Sequence, residues 1–272
     1  MRYALIAILP LLGVSCFAGP IPNANMWIDD SSGNIGTVNT LTGVATFVGS
    51  SGVGLTDIAF SPGGALYGIS FDELYTVSTT TGVATAVGSL GIGTDDANAL
   101  VFSTSGTLYT ATISGGLYTV NPTTGASTEV GSGLGGGYGS GGDLAFIGST
   151  LYLATSSDDL VTVNMTTGVA TLVGPFGVSD VFGLASPDNV NLFAVANEDM
   201  YTVNLSTGAA TFDTTWAGNS VGLGDAFGEA FITESGAPPP SGTPEPATFA
   251  LLGVGFALLG LKLRGVRRFH NR

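Results

Sequence analysis

Cysteine is all but missing from this 272-residue chain, and positive charge is missing from its whole central part. Cys16 is the single cysteine. The six Lys and Arg residues are Arg2 near the start and Lys262, Arg264, Arg267, Arg268 and Arg272 near the end, and the one histidine, His270, lies among the latter. Between Tyr3 and Pro244 there are nineteen acidic residues and no Lys, Arg or His. Each absence excludes something. A body without cations repels phosphate backbones, so nucleic acid is excluded as a partner. It offers no histidine base, no cysteine or lysine nucleophile and no arginine clamp, which removes most catalytic machinery. Its carboxylates have no ion-pair partner and must be solvated, bonded to backbone amides or bound to a metal. Such a charge keeps a protein soluble and favours cations or neutral, hydroxyl-rich partners over polyanions.

What is abundant is repetition. The phrase Ile35-Gly-Thr-Val-Asn-Thr-Leu-Thr-Gly43-Val-Ala-Thr-Phe-Val-Gly49 recurs at Leu74–Gly88, Leu117–Gly131, Leu160–Gly174 and Met200–Thr214. Its central glycines, Gly43, Gly82, Gly125, Gly168 and Gly208, are 39, 43, 43 and 40 residues apart. A period near forty is that of one four-stranded propeller blade. Each copy reads as a β-hairpin: β-branched and aromatic residues mark the strands, and a turn such as Asn121-Pro-Thr-Thr-Gly125 joins them. In it Asn caps the turn, Pro fixes φ and Gly takes the left-handed position. Asn39, Asn164 and Asn204 fit the same role, which also accounts for the glycosylation-like Asn164-Met-Thr and Asn204-Leu-Ser triplets.

A second phrase fills the gaps. Asp57-Ile-Ala-Phe60 with Ala65-Leu-Tyr-Gly-Ile69 is matched by Ala99–Phe102 with Thr107–Thr110, by Asp143–Phe146 with Thr150–Leu153, and more loosely by Gly183-Leu-Ala with Asn191–Val195. These supply two inner strands per unit. The first unit has Met26–Asp29 but no innermost strand, whereas Gly228-Glu-Ala-Phe-Ile232 resembles that strand and has no hairpin after it. The expected fold is therefore all-β, a propeller of five four-stranded blades closed by the C-terminal strand, which removes exposed edges. A degenerate sixth blade is the alternative. The pattern resembles the broad family of secreted WD40- and NHL-like propellers, although no signature such as a Trp-Asp pair is present.

The two ends read as addresses. Met1-Arg2, the apolar stretch Tyr3–Val14 and the small residues of Cys16-Phe17-Ala18 form a signal peptide with cleavage expected after Ala18. Its removal leaves no cysteine, hence no disulfide or thiol chemistry despite an oxidising destination. A lipidated Cys16 is the alternative, but Gly13-Val14-Ser15 lacks the usual upstream leucine. At the other end come Thr243-Pro244-Glu245-Pro246, an apolar run from Ala247 to Leu261, and the basic cluster Lys262, Arg264, Arg267, Arg268. The run is short for a spanning helix, which needs about 20 residues, and its three glycines weaken it further. Its cations resist translocation, so a transient anchor is expected. This order of PEP motif, short apolar helix and basic end closely resembles the PEP-CTERM sorting signal of Gram-negative bacteria. The resemblance implies an exosortase-type membrane enzyme as partner, processing of the tail during export, and a setting alongside exopolysaccharide production. The expected organisation is a signal peptide over 1–18, a propeller over 19–233, a Pro/Gly/Ser linker over 234–243 and the sorting tail, with its transmembrane helix, over 244–272.

Little chemistry remains to assign. The doublets Asp29-Asp30, Asp72-Glu73, Asp95-Asp96, Asp158-Asp159 and Glu198-Asp199 read as turn carboxylates. None has the spacing of a dedicated calcium loop, so no cofactor is expected beyond weak calcium binding. Leu134–Gly142 is glycine-rich but lacks the Lys-Ser/Thr ending of a phosphate loop and reads as an inter-blade connection. Glycoside hydrolysis needs two carboxyls, for which the inner-strand candidates are Asp57, Asp143, Asp225 and Glu229. Repetition of Asp at equivalent places favours amide capping over catalysis. No catalytic residue and no metal ligand is therefore assigned. The expectation is an exported, non-catalytic scaffold or binding protein of the cell surface or extracellular matrix, contacting polysaccharide. The competing expectation is a secreted carbohydrate-active hydrolase.

Overall fold

The computed structural model describes residues 21–218 and 221–236. Blade 1 takes β1 (Asn25–Asp30), β2 (Asn34–Asn39) and β3 (Ala45–Ser50). Blade 2 holds β4 (Asp57–Phe60), β5 (Leu66–Ile69), β6 (Glu73–Val77) and β7 (Ala84–Ser89). Blade 3 holds β8 (Ala97–Phe102), β9 (Leu108–Thr112), β10 (Leu117–Val120) and β11 (Ser127–Glu129). Blade 4 holds β12 (Ser140–Ile147), β13 (Thr150–Thr155), β14 (Asp159–Val163) and β15 (Ala170–Pro175). Blade 5 holds β16 (Val181–Ala185), β17 (Leu192–Ala196), β18 (Asp199–Val203) and β19 (Ala210–Thr215). The last strand, β20 (Ala226–Ala230), returns to pair antiparallel with β1, so blade 1 has the order β20-β1-β2-β3. The five inner strands touch in the cyclic order β20, β4, β8, β12, β16, and the ring is closed.

Burial falls from the axis outward, and the residue pattern explains why. β4, Asp-Ile-Ala-Phe, is buried along its whole length, whereas the outermost strands β3, β7 and β19 are half-buried to exposed throughout. Inner strands are covered on both faces by neighbouring blades and carry small and aliphatic residues; outer strands carry threonines. Packing between blades is written into the repeat. Trp27 meets Phe60 with ring centroids 5.7 Å apart, Tyr67 meets Phe102 at 5.2 Å, Tyr109 meets Phe146 at 6.0 Å and Phe193 meets Phe231 at 6.0 Å. Each pair joins the second strand of one blade to the innermost chain of the next, and such a pair contributes about 0.5–1.5 kcal/mol beyond its area. At the junction of blades 4 and 5 the place of the aromatic is taken by Ser186, which is buried.

The hairpin turns form as the residues dictate. Asn121, Asn164 and Asn204 each accept two backbone N–H bonds through Oδ1, for instance from Thr123 at 2.9 Å and Thr124 at 3.3 Å. The turn glycines Gly43, Gly82, Gly125, Gly168 and Gly208 have φ between 66° and 80°.

Three expectations need correcting. Asp29 is not a turn carboxylate: it lies in β1 and is buried, because β20 covers that strand. Asp30, also buried, does cap the turn to β2, its Oδ1 accepting the Ser32 and Asn34 N–H groups at 2.9 and 2.8 Å. The body does not stop at Thr233. Glu234 and Ser235 are buried, and Glu234 Oε1 accepts the Ser186 N–H at 3.3 Å, so these residues are packed and not linker. The glycine-rich segment Leu134–Gly142 is only partly a loop: Leu134 is buried in the core and Ser140-Gly141-Gly142 begin β12.

Candidate functional site: an acidic axis

The inner strands β4, β12 and β20, with β1 beside β20, bring four carboxyls to the axis. Asp57 on β4 and Asp143 on β12 do the same work in alternate blades. Asp57 Oδ1 accepts the Ile58 N–H at 2.6 Å and Oδ2 accepts that of Leu100 on β8 in the next blade. Asp143 Oδ2 accepts the Leu184 N–H of β16 at 2.9 Å. Each aspartate thus ties its own inner strand to its neighbour, which is the amide-capping role expected from the repeat.

The other two acids break the symmetry. Glu229 on β20 stands where the other blades carry Ile58, Leu100, Leu144 and Leu184. Its carboxyl lies over Gly183, where an added Cβ would be 1.2 Å from Oε2. Asp29 on β1 faces Gly228, its cross-strand partner, and a Cβ there would meet Asp57 Oδ1 at 2.2 Å and Asp29 Oδ1 at 2.8 Å. Glycine at 183 and 228 therefore makes the room that these carboxyls fill. Both oxygens of Asp29 and both of Glu229 are buried without a hydrogen-bond partner.

Burial raises the pKa of all four groups well above the usual carboxylate range, and their neighbours add to it. For Asp57 the next causes are the charge of Asp143 and a side-chain hydrogen bond with it, then the charges of Asp29 and Glu229. Burial also dominates for Asp143, opposed by the hydrogen bond with Asp57. Asp30 adds to the shift at Asp29, and Asp29 and Glu234 to that at Glu229. The physical result is a set of carboxyls that hold protons where ordinary ones do not, because no cation in the body stabilises their charge.

The axial acids are 0–2 % exposed. They are close, as a pair of hydrolytic carboxyls must be, but sealed, so they offer no surface to a substrate in this conformation. Asp225, the remaining candidate, is exposed just before β20. Among the described residues no group of three or more His, Cys, Asp or Glu is arranged to hold a metal ion. Among them, too, no helix is long and apolar enough to cross a membrane. Ala18, Pro244, Glu245, Pro246, the apolar run and the basic cluster lie outside the described residues. Reading the sequence missed Asp29 and Glu234 as axis and core residues. For Glu229 a signal was present: an acid at a position that is Ile or Leu in every other blade.

Five four-stranded blades closed by a strand from the far end of the chain define a five-bladed β-propeller. The chain carries at residues 243–268 a match to the PEP-CTERM protein-sorting motif, which implies export, recognition by an exosortase and a membrane-anchored intermediate. Among solved structures, the chain is similar to a protein of unknown function from Bacteroides thetaiotaomicron VPI-5482, with 13% identity and a TM-score of 0.50 over 78% of this chain and 65% of that one. It also resembles a protein of unknown function from Bacteroides caccae, with 10% identity and a TM-score of 0.45 over 70% and 72%. Virginiamycin B lyase from Staphylococcus aureus matches with 12% identity and a TM-score of 0.43 over 71% and 67%. At these identities the likeness is one of fold alone. No curated protein matches the chain.

Proposed function

We propose that this protein is an exported, non-catalytic binding scaffold of the cell surface or extracellular polymer matrix of a Gram-negative bacterium. In this reading it is anchored transiently in the inner membrane by its C-terminal run, and an exosortase then processes the tail and leaves the propeller outside. The observation that carries the reading is the joining of a sorting motif at 243–268 to a closed ring whose paired carboxyls are sealed from solvent. A hydrolase built on the axial acids would need two of them open to substrate. A cation-free outer surface suits neutral polysaccharide and repels anionic polymers and lipids. No cofactor is needed for it.

The test replaces Pro244, Glu245 and Pro246 together by alanine in the full chain and compares membrane and extracellular fractions of native cells. The expected outcome is accumulation of the unprocessed variant in the membrane while the wild type reaches the outside. Equal export of the two would contradict the reading.

A further inference from the structure

At the end of the axis where the inner strands begin, blades 3, 4 and 5 surround a cleft of about 290 Å³, close to the lower bound of small-ligand sites at about 300 Å³. Three features show that it is built, and not merely left over between blades.

The first is the backbone. β8 carries an extra residue between Ala97 and Ala99, and β16 one between Val181 and Gly183; these are Asn98 and Phe182. A bulge of this kind re-aims a side chain out of the strand alternation, and both residues line the cleft. β20 has the same irregularity at Phe227, whose ring meets that of Phe182 edge-on at 6.1 Å and 84°. Phe182 is thereby held while remaining half-exposed.

The second is unmet hydrogen bonding. Ser140 is 1 % exposed, and its Oγ, like Asn98 Oδ1, is buried without a partner in the cleft wall. Buried polar atoms left in this state are costly, and, closed to solvent as they are, these two meet a ligand only when the wall side chains turn.

The third is the rim. Asp158 and Asp180 line it with left-handed backbones, φ 58° and 61°. Asp158 Oδ1 takes the Val181 N–H at 3.3 Å, which fixes the rim to β16. Ile113, 47 % exposed, supplies a second apolar surface. The irregularity itself recurs in β8, β12, β16 and β20, but the side chain found at that place changes around the ring. The residues preceding the Asp57-equivalent positions are Thr56, Asn98, Gly142, Phe182 and Phe227, so the cleft departs from the symmetry that the repeat otherwise imposes.

One aromatic and one aliphatic face, set among a hydroxyl, an amide and two acceptor carboxylates with no cation anywhere near, match the two-sided chemistry of a sugar ring. Its C–H face can lie on Phe182 while its hydroxyls donate to Asp158 and Asp180 on the rim. We propose that this cleft binds a short stretch of neutral, hydroxyl-rich saccharide. The proposal deepens the reading of the protein as an exported binding module and rests on it for the source of the ligand.

The experiment is calorimetric titration of the protein recovered from native cells with neutral hexasaccharides of glucan, mannan, xylan and galactan types, an oligogalacturonate and a chitosan hexamer. At least one neutral sugar should bind saturably. Phe182→Ala should weaken it about tenfold or more, as loss of a central aromatic contact does. Asp180→Asn should weaken it about threefold by removing charge-assisted bonds, while asparagine still tolerates the left-handed backbone. Phe212→Ala, on outer strand β19, should change nothing. The proposal is overturned if no neutral sugar binds, if chitosan alone binds, or if Phe182→Ala and Asp180→Asn both bind as the wild type does. In the last case the protein is still a saccharide-binding module and only the cleft is wrong. Release of new reducing ends, abolished by the cleft variants, would support the cleft and overturn the non-catalytic reading.

Discussion

Gly49, near the end of β3 in blade 1, lies against Gly82, the turn residue of blade 2. A Cβ on Gly49 would come within 1.9 Å of the Thr81 carbonyl oxygen, and one on Gly82 within 2.7 Å of the Gly49 carbonyl carbon. Gly88 meets Gly125 and Gly174 meets Gly208 in the same way, Gly131 meets Thr167, and Gly43 meets Thr215 to complete the circle. The turn glycines thus serve twice: they supply the left-handed residue of the hairpin, and they let the backbones of successive blades touch.

That double role can be separated by mutation. Gly49 needs no unusual φ, so Gly49→Ala should destabilise through overpacking alone, by about 1–3 kcal/mol. Gly64 has φ 79° but open space around it, so Gly64→Ala should cost only the left-handed penalty of about 1–2 kcal/mol. Gly82→Ala combines both and should exceed either. Urea midpoints at constant slope give the comparison; equal losses for Gly64→Ala and Gly82→Ala would show that the blades yield at this contact.

The axial carboxyls set the sign of the pH dependence. Asp29, Asp57, Asp143, Glu229 and Glu234 are all raised well above their ordinary values of 3.8 and 4.5. The folded state therefore binds more protons than the unfolded one. Its stabilising contribution is complete below the ordinary values and is lost as pH rises through the raised ones. Thermal unfolding should occur at a higher temperature at pH 5 than at pH 8. Asp29→Asn and Glu229→Gln should flatten that slope and raise the midpoint at pH 8. EDTA should leave the midpoint unchanged at either pH. A large loss in EDTA would put a cation, and not protons, on the axis.

Asp57 and Asp143 should behave differently from that unpartnered pair. At pH 5, Asp143→Ala orphans the Leu184 N–H and should cost about 1–3 kcal/mol, as an unsatisfied buried donor does. Asp143→Asn keeps an acceptor oxygen and should cost less. Steric strain is not the cause, since Ala99, Gly183 and Gly228 occupy the corresponding place in the other blades. Equal costs for Ala and Asn would remove the capping role.

Much of this was legible in the residues because repetition supplies its own alignment. The forty-residue period, the Asn-to-Gly turn and the orphan strand around Glu229 are local patterns, and the ring follows from them. What could not be read is what depends on contact across blades. Asp29 looks like a turn residue until β20 covers it, and Glu234 looks like linker until Ser186 receives it. The aromatic seam was written in the Leu-Tyr and Ala-Phe phrases, but their partnership is invisible in one dimension. The bulges that turn Asn98 and Phe182 toward the cleft insert single residues into strands whose sequence still alternates acceptably.

The most direct test of the central claim is the intact mass of the protein recovered from native cells, taken separately from membrane and extracellular fractions. A soluble extracellular form that begins after Ala18 and ends near Pro244 is the expected result. A membrane-bound form that retains Arg272, with nothing outside, would contradict it.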